Sequence, residues 1–193
     1  MTPTPLVRII AGFALSALTW APLPGEAKSP AVWKMNSARS KVEFRSSFGG
    51  DAFTGQFKRW NARILFDPTD LAHSSVAATI DLASAATGDS SRDTSLPEKD
   101  WFYVAKFPTA KFVSTSFRAL GGNRYEAAGT LEIRGIKKPL KLPFQLDIKG
   151  NVAVMRAQVA VNRLLFGVGQ GQFADPQSIP ANVAVNLIVT AQK

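Results

Sequence analysis

From residue 33 to the end of the chain, apolar and polar side chains alternate one by one in short successive runs, and no long run repeats at helical spacing. Such alternation puts apolar side chains on one face of a strand and polar ones on the other. Val42, Phe44 and Phe48 begin the series. Trp60, Ala62, Ile64 and Phe66 then alternate with Asn61, Arg63 and Asp67, and Val76, Ala78, Ile80 and Leu82 with Ser75, Thr79 and Asp81. A further strand is expected over 110–117. Beyond it, Tyr125, Ala127, Leu131 and Ile133 oppose Glu126, Thr130, Glu132 and Arg134. Leu140, Leu142, Phe144, Leu146 and Ile148 oppose Lys141, Gln145, Asp147 and Lys149. Met155, Ala157, Val159 and Val161 oppose Arg156, Gln158 and Asn162, and Val183, Val185, Leu187 and Val189 form the last run.

About eight one-sided strands have to hide their apolar faces against one another, in a sandwich or a closed barrel. The runs from Phe112 to Val161 follow each other with only short turns, at Gly121-Gly122-Asn123, Gly135 and Lys149-Gly150-Asn151. A meander of that kind predicts an all-β chain folded as a single antiparallel eight-stranded barrel, because a sandwich usually needs longer crossovers. The segment 85–108 breaks the period. It is rich in Asp and Ser and ends on Trp101, Phe102, Tyr103 and Phe107, so it is expected to be a loop with a short helical insertion whose aromatics cap one end of the barrel. A second loop, 167–180, carries Gly169, Gly171, Pro176 and Pro180 and is expected to shape a mouth.

A barrel of this size either fills its interior with side chains or holds one small ligand. The inward set mixes large rings with small residues at mid-strand, among them Ala62, Ala78, Ala127, Gly129 and Ala157. Sharing a level, the small residues leave an apolar tunnel; facing the rings, they simply make room for them. A tunnel selects an apolar guest, since a polar atom buried without a partner costs a few kcal/mol.

The ends and the composition narrow the setting. Arg8, an apolar run over 9–21, Pro22 and Pro24, and Gly25-Glu26-Ala27 have the layout of a signal peptide cleaved after Ala27, which implies export to the periplasm. Residues 28–193 then make one domain. The chain has no cysteine, which removes disulfides and thiolate chemistry. Its formal net charge is +9, and loss of Arg8 and Glu26 together leaves it unchanged. The basic residues are scattered and no nucleic-acid motif accompanies them. The partners this surface suggests are an anionic membrane face, a membrane redox protein that it would dock to and tune, or a second copy of the chain; nucleic acid is not among them.

Catalytic chemistry has little to draw on. His73 is the only histidine and is expected on a surface loop. Asp89, Asp93, Glu98 and Asp100 cluster beside Arg92 and Lys99, which suits an acid/base pair or a calcium site, or else loop caps and ion pairs, with Asp93 capping a short helix. The Gly167–Gly171 run lacks the lysine and context of a phosphate loop. No metal site and no cofactor are expected beyond a bound guest. An enzyme acting on a small apolar substrate inside the barrel remains the alternative of another class.

Several separated motifs carry a family resemblance. They are Trp33 with Ser40, Val42 and Phe44; Gly55-Gln56-Phe57 with Trp60, Ile64 and Phe66-Asp67-Pro68; and Thr87-Gly88, Arg92-Asp93, Leu96, Asp100-Trp101-Phe102 and Phe107-Pro108. Gly129-Thr130-Leu131, Lys138-Pro139-Leu140, Asn162-Arg163 and Phe166-Gly167-Val168-Gly169 complete the set. Taken in order they resemble the YceI-like family, and the resemblance implies a lipocalin-like barrel that binds a polyisoprenoid or quinone in the periplasm. Many members have a histidine where this chain has Ser95, so a headgroup contact from that position is not carried over. The expected function is therefore a periplasmic carrier for an isoprenoid lipid or isoprenoid quinone. Its expected lining is Phe44, Trp60, Ile64, Ala78, Ile80, Phe112 and Leu131 along the strands. Leu142, Phe144, Met155, Phe166 and the loop residues Trp101 and Phe102 complete it.

Overall fold

The computed structural model describes residues 30–193, so the signal segment expected over 1–27 lies outside the described residues. The alternating runs become strands, and all of them join one antiparallel sheet: β1 (Val32–Met35), β2 (Lys41–Phe48), β3 (Asp51–Phe57), β4 (Trp60–Leu65), β5 (Ser75–Asp81), β6 (Ala85–Ala86), β7 (Thr109–Gly121), β8 (Arg124–Ile133), β9 (Ile136–Lys149), β10 (Val152–Asn162) and β11 (Asn182–Gln192). Hydrogen bonding runs β1-β4-β5-β7-β8-β9-β10-β11, and β11 returns to β1 through Lys34 opposite Gln192 and Met35 opposite Ala191. That ring closes an eight-stranded barrel. Closure removes the exposed edges that one-sided strands would otherwise present.

Three of the eight staves are bent, which the alternation did not show. β2 continues β1 after a 3-10 turn at Ser37–Arg39, β3 runs into β4 through Lys58 and Arg59, and β6 continues β5 after a 3-10 turn at Leu82–Ser84. The upper halves of these staves pair as β2-β3-β6, and β2 pairs in turn with β11. Two of the breaks are held by a buried serine. Ser40 Oγ donates to Asn36 O at 2.7 Å and accepts from Thr190 N at 3.0 Å. Ser84 Oγ donates to Asp81 O at 2.6 Å and accepts from Arg59 N at 3.0 Å. Each hydroxyl replaces a ladder bond that the bend removes. A register irregularity between β7 and β8 at 114/116 switches the inward parity of β7 and brings Phe117 into the interior, where it lines the same space as Phe112; a second irregularity follows at 119/121.

Two ends follow from this meander. The lower end is packed with aromatics: Phe66 meets Phe117, Tyr125 and Phe144 at centroid distances of 5.4, 5.6 and 6.2 Å. Trp33 Nε1 donates to Phe66 O at 2.9 Å and joins β1 to the end of β4. The upper end carries the β2–β3 turn, the 87–108 segment, the β8–β9 turn and the 163–181 loop. At the β8–β9 turn Arg134 and Gly135 both have positive φ, 52° and 72°, as a two-residue hairpin of right-handed twist requires.

Candidate functional site

The segment 87–108 forms a lid. Its helix α1 (Ser90–Ser95) is capped by Asp89, whose side chain accepts from Arg92 N at 2.9 Å; the cap is thus Asp89 and not Asp93 as the sequence suggested. Asp93 turns back instead and accepts from the backbone N and the hydroxyl of Thr87, both at 2.7 Å. The Thr87 hydroxyl bond is the leading reason that the Asp93 carboxyl titrates below its ordinary value of 3.8. Arg92 pairs with Asp89 at 3.6 Å and its guanidinium lies 4.6 Å from the centre of the Phe53 ring.

Two arginines fasten the lid and the second loop to the barrel. Arg134, held at positive φ in the β8–β9 turn, donates through Nη1 to Lys99 O at 3.0 Å and to Trp101 O. Burial pulls its pKa below the usual guanidinium range. Arg163 is 4% exposed, and its three nitrogens donate to the carbonyl oxygens of Pro180, Val168, Gly169, Phe173 and Ile179 at 2.7–3.2 Å. No carboxylate faces it in these bonds, and burial lowers its pKa as well. Gly169 N and Gln170 N both donate to Asp100 O, at 2.8 and 2.7 Å, so the lid and the 163–181 loop are one hydrogen-bonded structure. The Trp101 and Phe173 rings meet across it at 5.0 Å.

Beneath the lid lies an apolar cavity of about 380 Å³. Its walls are Phe44, Trp60, Ile80, Leu131 and Leu140 from the strands and Leu96, Trp101 and Phe102 from the lid. The uncharged polar residues that reach it, Ser46, Thr87, Ser91 and Ser95, all sit at the upper end, as does Arg92. Ser46 Oγ and Trp101 Nε1 are buried there without a hydrogen-bond partner. A second cavity of about 110 Å³ lies below, lined only by apolar residues that include Ala62, Ile64, Phe144, Met155 and Ala153. Phe112, Leu142 and Leu187 line both.

Of the residues expected to line the lumen, Phe44, Trp60, Ile80, Trp101, Phe102 and Leu131 face the upper cavity. Ile64, Phe144 and Met155 face the lower one, and Phe112 and Leu142 stand between. Ala78 and Phe166 face neither; both pack within the core. Ala78 pairs with Phe112 across β5 and β7. The mid-strand glycines do not open the tunnel either. A Cβ on Gly129 would sit 2.6 Å from Phe112 Cζ, and one on Gly55 would overlap the Phe44 ring, so both are room for rings on the neighbouring strand. The open volume comes from the wide upper end. Sequence reasoning missed Phe53 and Phe57 on β3, the four polar residues of the upper wall, and Arg163. The alternation of Phe53, Gly55 and Phe57 was the available signal for the first pair.

Chemistry outside the lumen is sparse. His73 Nδ1 lies 2.8 Å from Asp70 in the exposed β4–β5 connection at the lower end, away from the lid. Among the described residues no group of three or more His, Cys, Asp or Glu side chains is placed to hold a metal ion.

A family model described as the YceI-like domain matches residues 33–191. Among curated relatives, a UPF0312 protein of Pseudomonas savastanoi pv. phaseolicola is 35% identical over 110 residues, and the chain spans little more than half of its length, 57%. A UPF0312 protein of Pseudomonas fluorescens is 30% identical over 146 residues, 72% of this chain and 76% of the relative. BcnA of Burkholderia cenocepacia superposes with a TM-score of 0.80 at 30% identity, over 82% of this chain and all of that one. A polyisoprenoid binding domain from Saccharophagus degradans, implicated in plant cell wall breakdown, shares the fold with a TM-score of 0.64 at 14% identity, over 83% of this chain and 97% of that one. With the family match running from Trp33 in β1 to Ala191 in β11, this chain belongs to the YceI-like family.

Proposed function

We propose that this chain is a periplasmic carrier that binds an isoprenoid lipid or isoprenoid quinone, with the tail in the barrel and the polar head under the lid. The observation that carries the reading is the polarity gradient of the lumen: polar side chains line only its upper end, and the lower cavity has none. A cavity of about 380 Å³ falls within the roughly 300–1,000 Å³ usual for small-molecule sites. Burying a hydrocarbon tail there gains about 0.8 kcal/mol per CH₂ before ordering costs. The unpartnered Trp101 Nε1 is a donor available to a head oxygen after a small shift of the lid, and an unmet buried donor is otherwise a cost of about 1–3 kcal/mol.

Binding rather than catalysis is the reading because the lumen wall offers no acid/base pair: Arg92 and Arg163 are its charged residues. The binding domain from Saccharophagus degradans lends the ligand class further support, and the signal layout of residues 1–27 supports the compartment. Exposed Phe48, Ile136 and Leu165 at the upper end suit contact with a bilayer from which a guest is drawn. Native mass spectrometry of the protein purified from its own periplasm, followed by extraction of whatever is released, tests the reading. A stoichiometric prenyl lipid or quinone is expected. An empty protein that also refuses added isoprenoids overturns it.

A further inference from the structure

The barrel wall has a seam. β9 pairs with β8 from Gln145 opposite Arg124 up to Ile136 opposite Ile133. Its ladder to β10 runs only from Lys149 opposite Val152 to Phe144 opposite Ala157, although both strands continue upward. Proline decides where it stops. Alternate residues of an antiparallel strand turn their N–H and C=O toward opposite neighbours. Leu146 N donates to Asn123 O on the β8 side at 2.9 Å, so even-numbered residues of β9 face β8 and odd-numbered ones face β10. Continued upward, the register to β10 sets Pro143 opposite Gln158, Lys141 opposite Ala160 and Pro139 opposite Asn162. Both prolines fall where a donor to β10 is needed and carry none, and the ladder ends below the first of them. Directly behind the seam stand Leu140, Leu142, Val159 and Val161, all of which line the upper cavity. Parting this stretch of wall breaks side-chain contacts but no ladder, whereas parting a paired stretch breaks its hydrogen bonds as well.

The outside of the seam suits a lipid surface. Ile136 and Leu165 are 39% and 53% exposed near its upper end, and Pro139, Pro143 and Ala160 are exposed along its lips. The carboxylates on this side have cations of their own: Glu126 meets Arg118 at 3.0 Å, Glu132 meets Lys137 at 3.7 Å and Asp147 meets Arg156 at 3.4 Å. Among the described residues Lys138 and Lys141 are in no ion pair, which leaves the face positive.

Resting on the carrier reading above, we propose that the β9–β10 seam is the port through which the guest's tail passes sideways between the lumen and an anionic bilayer. Lys138 and Lys141 meet the lipid phosphates, and the apolar lips rest on the acyl region. The tail then exchanges one apolar medium for another without crossing water. The lid stays fastened meanwhile, by Arg134 and by the bonds of Gly169 N and Gln170 N to Asp100 O.

The test uses purified, delipidated protein and vesicles of phosphatidylcholine and phosphatidylglycerol in equal parts that carry a diprenyl benzoquinone. Its arrival in the lumen quenches Trp60 and Trp101, which line the cavity. The chain has no cysteine, so Lys141→Cys with Ala160→Cys can be bridged across the folded seam by a bismaleimide. Bridging should slow loading at least about tenfold against the unbridged variant and leave the final occupancy unchanged, because a closed route alters rates and not the end state. The same bridge at Lys111→Cys with Glu132→Cys, where β7 and β8 are paired, should change nothing. Pro139→Val with Pro143→Val supplies the missing donors; loading should slow and the new amides should gain exchange protection. The parent should load faster from these vesicles than from phosphatidylcholine alone, and Lys138→Gln with Lys141→Gln should remove the difference. Loading as fast after bridging as before overturns the port and leaves the carrier reading standing, with the lid as the route. A parent indifferent to vesicle charge overturns the docking given to the two lysines. If the parent takes up neither this quinone nor farnesol, the carrier reading falls, and the port with it.

Discussion

Replacing Arg163 by methionine should loosen the whole upper end from the 163–181 loop outward. The side chain is 4% exposed and donates to five carbonyl oxygens, those of Pro180, Val168, Gly169, Phe173 and Ile179. A carbonyl left dry without a donor costs about 1–3 kcal/mol. The loop lies at the surface, so some of the five will take water instead. If two stay dry the loss is roughly 2–6 kcal/mol, and removal of the desolvation penalty of a guanidinium returns a part of it. A net destabilisation of about 3 kcal/mol is expected, a large share of the roughly 5–15 kcal/mol that holds a domain together. Urea titration followed by tryptophan fluorescence measures the total. Hydrogen exchange locates it, because Gly169 N and Gln170 N are bonded to Asp100 O and should lose protection before the β7–β8 ladder does. Arg163→Lys should fall between, since an ammonium has only three donors. A methionine variant within about 0.5 kcal/mol of the parent would refute the idea that these bonds organise the loop.

The Gly55→Ala protein should lose about 1–3 kcal/mol and bind its guest more weakly, because the new methyl displaces the Phe44 ring toward the upper cavity; ligand uptake and thermal melting check both parts. The lid should also loosen in acid. The folded pKa of Asp93 lies below its unfolded value, so its contribution is complete above about pH 3.8 and disappears as pH falls through the folded pKa. Asp93→Asn should remove that component, and an acid melt of the variant that keeps the parent's slope would count against it.

The architecture was legible because period-two alternation is a statement about two faces, and about eight one-sided strands, several joined by short turns, have few ways to bury one face each. Phe44, Ile80, Leu131 and Leu142 could be assigned inward from their neighbours alone, and they do point inward. The bends were not legible. Whether β2 follows β1 straight or through a turn depends on Ser40 meeting Thr190 at the other end of the chain, and no local window contains that contact. The lid was recognisable as a break rich in aromatics. Its cap is Asp89 because the helix begins at Ser90, which puts Asp93 inside it, where its carboxylate accepts from Thr87.

By itself, then, the order of side chains determined the strands, their inward faces, the meander and the aromatic lid, since each of these depends on neighbours a few residues apart. Tertiary structure decided where the lumen is open. Gly129 read as empty space along its own strand, but the Phe112 ring occupies that space from the next strand, as the Phe44 ring does at Gly55, and the free volume lies beneath the lid. The reason is physical: a cavity is what remains after side chains from distant strands have packed, so volume follows from pairing register and rotamers rather than from any residue's size.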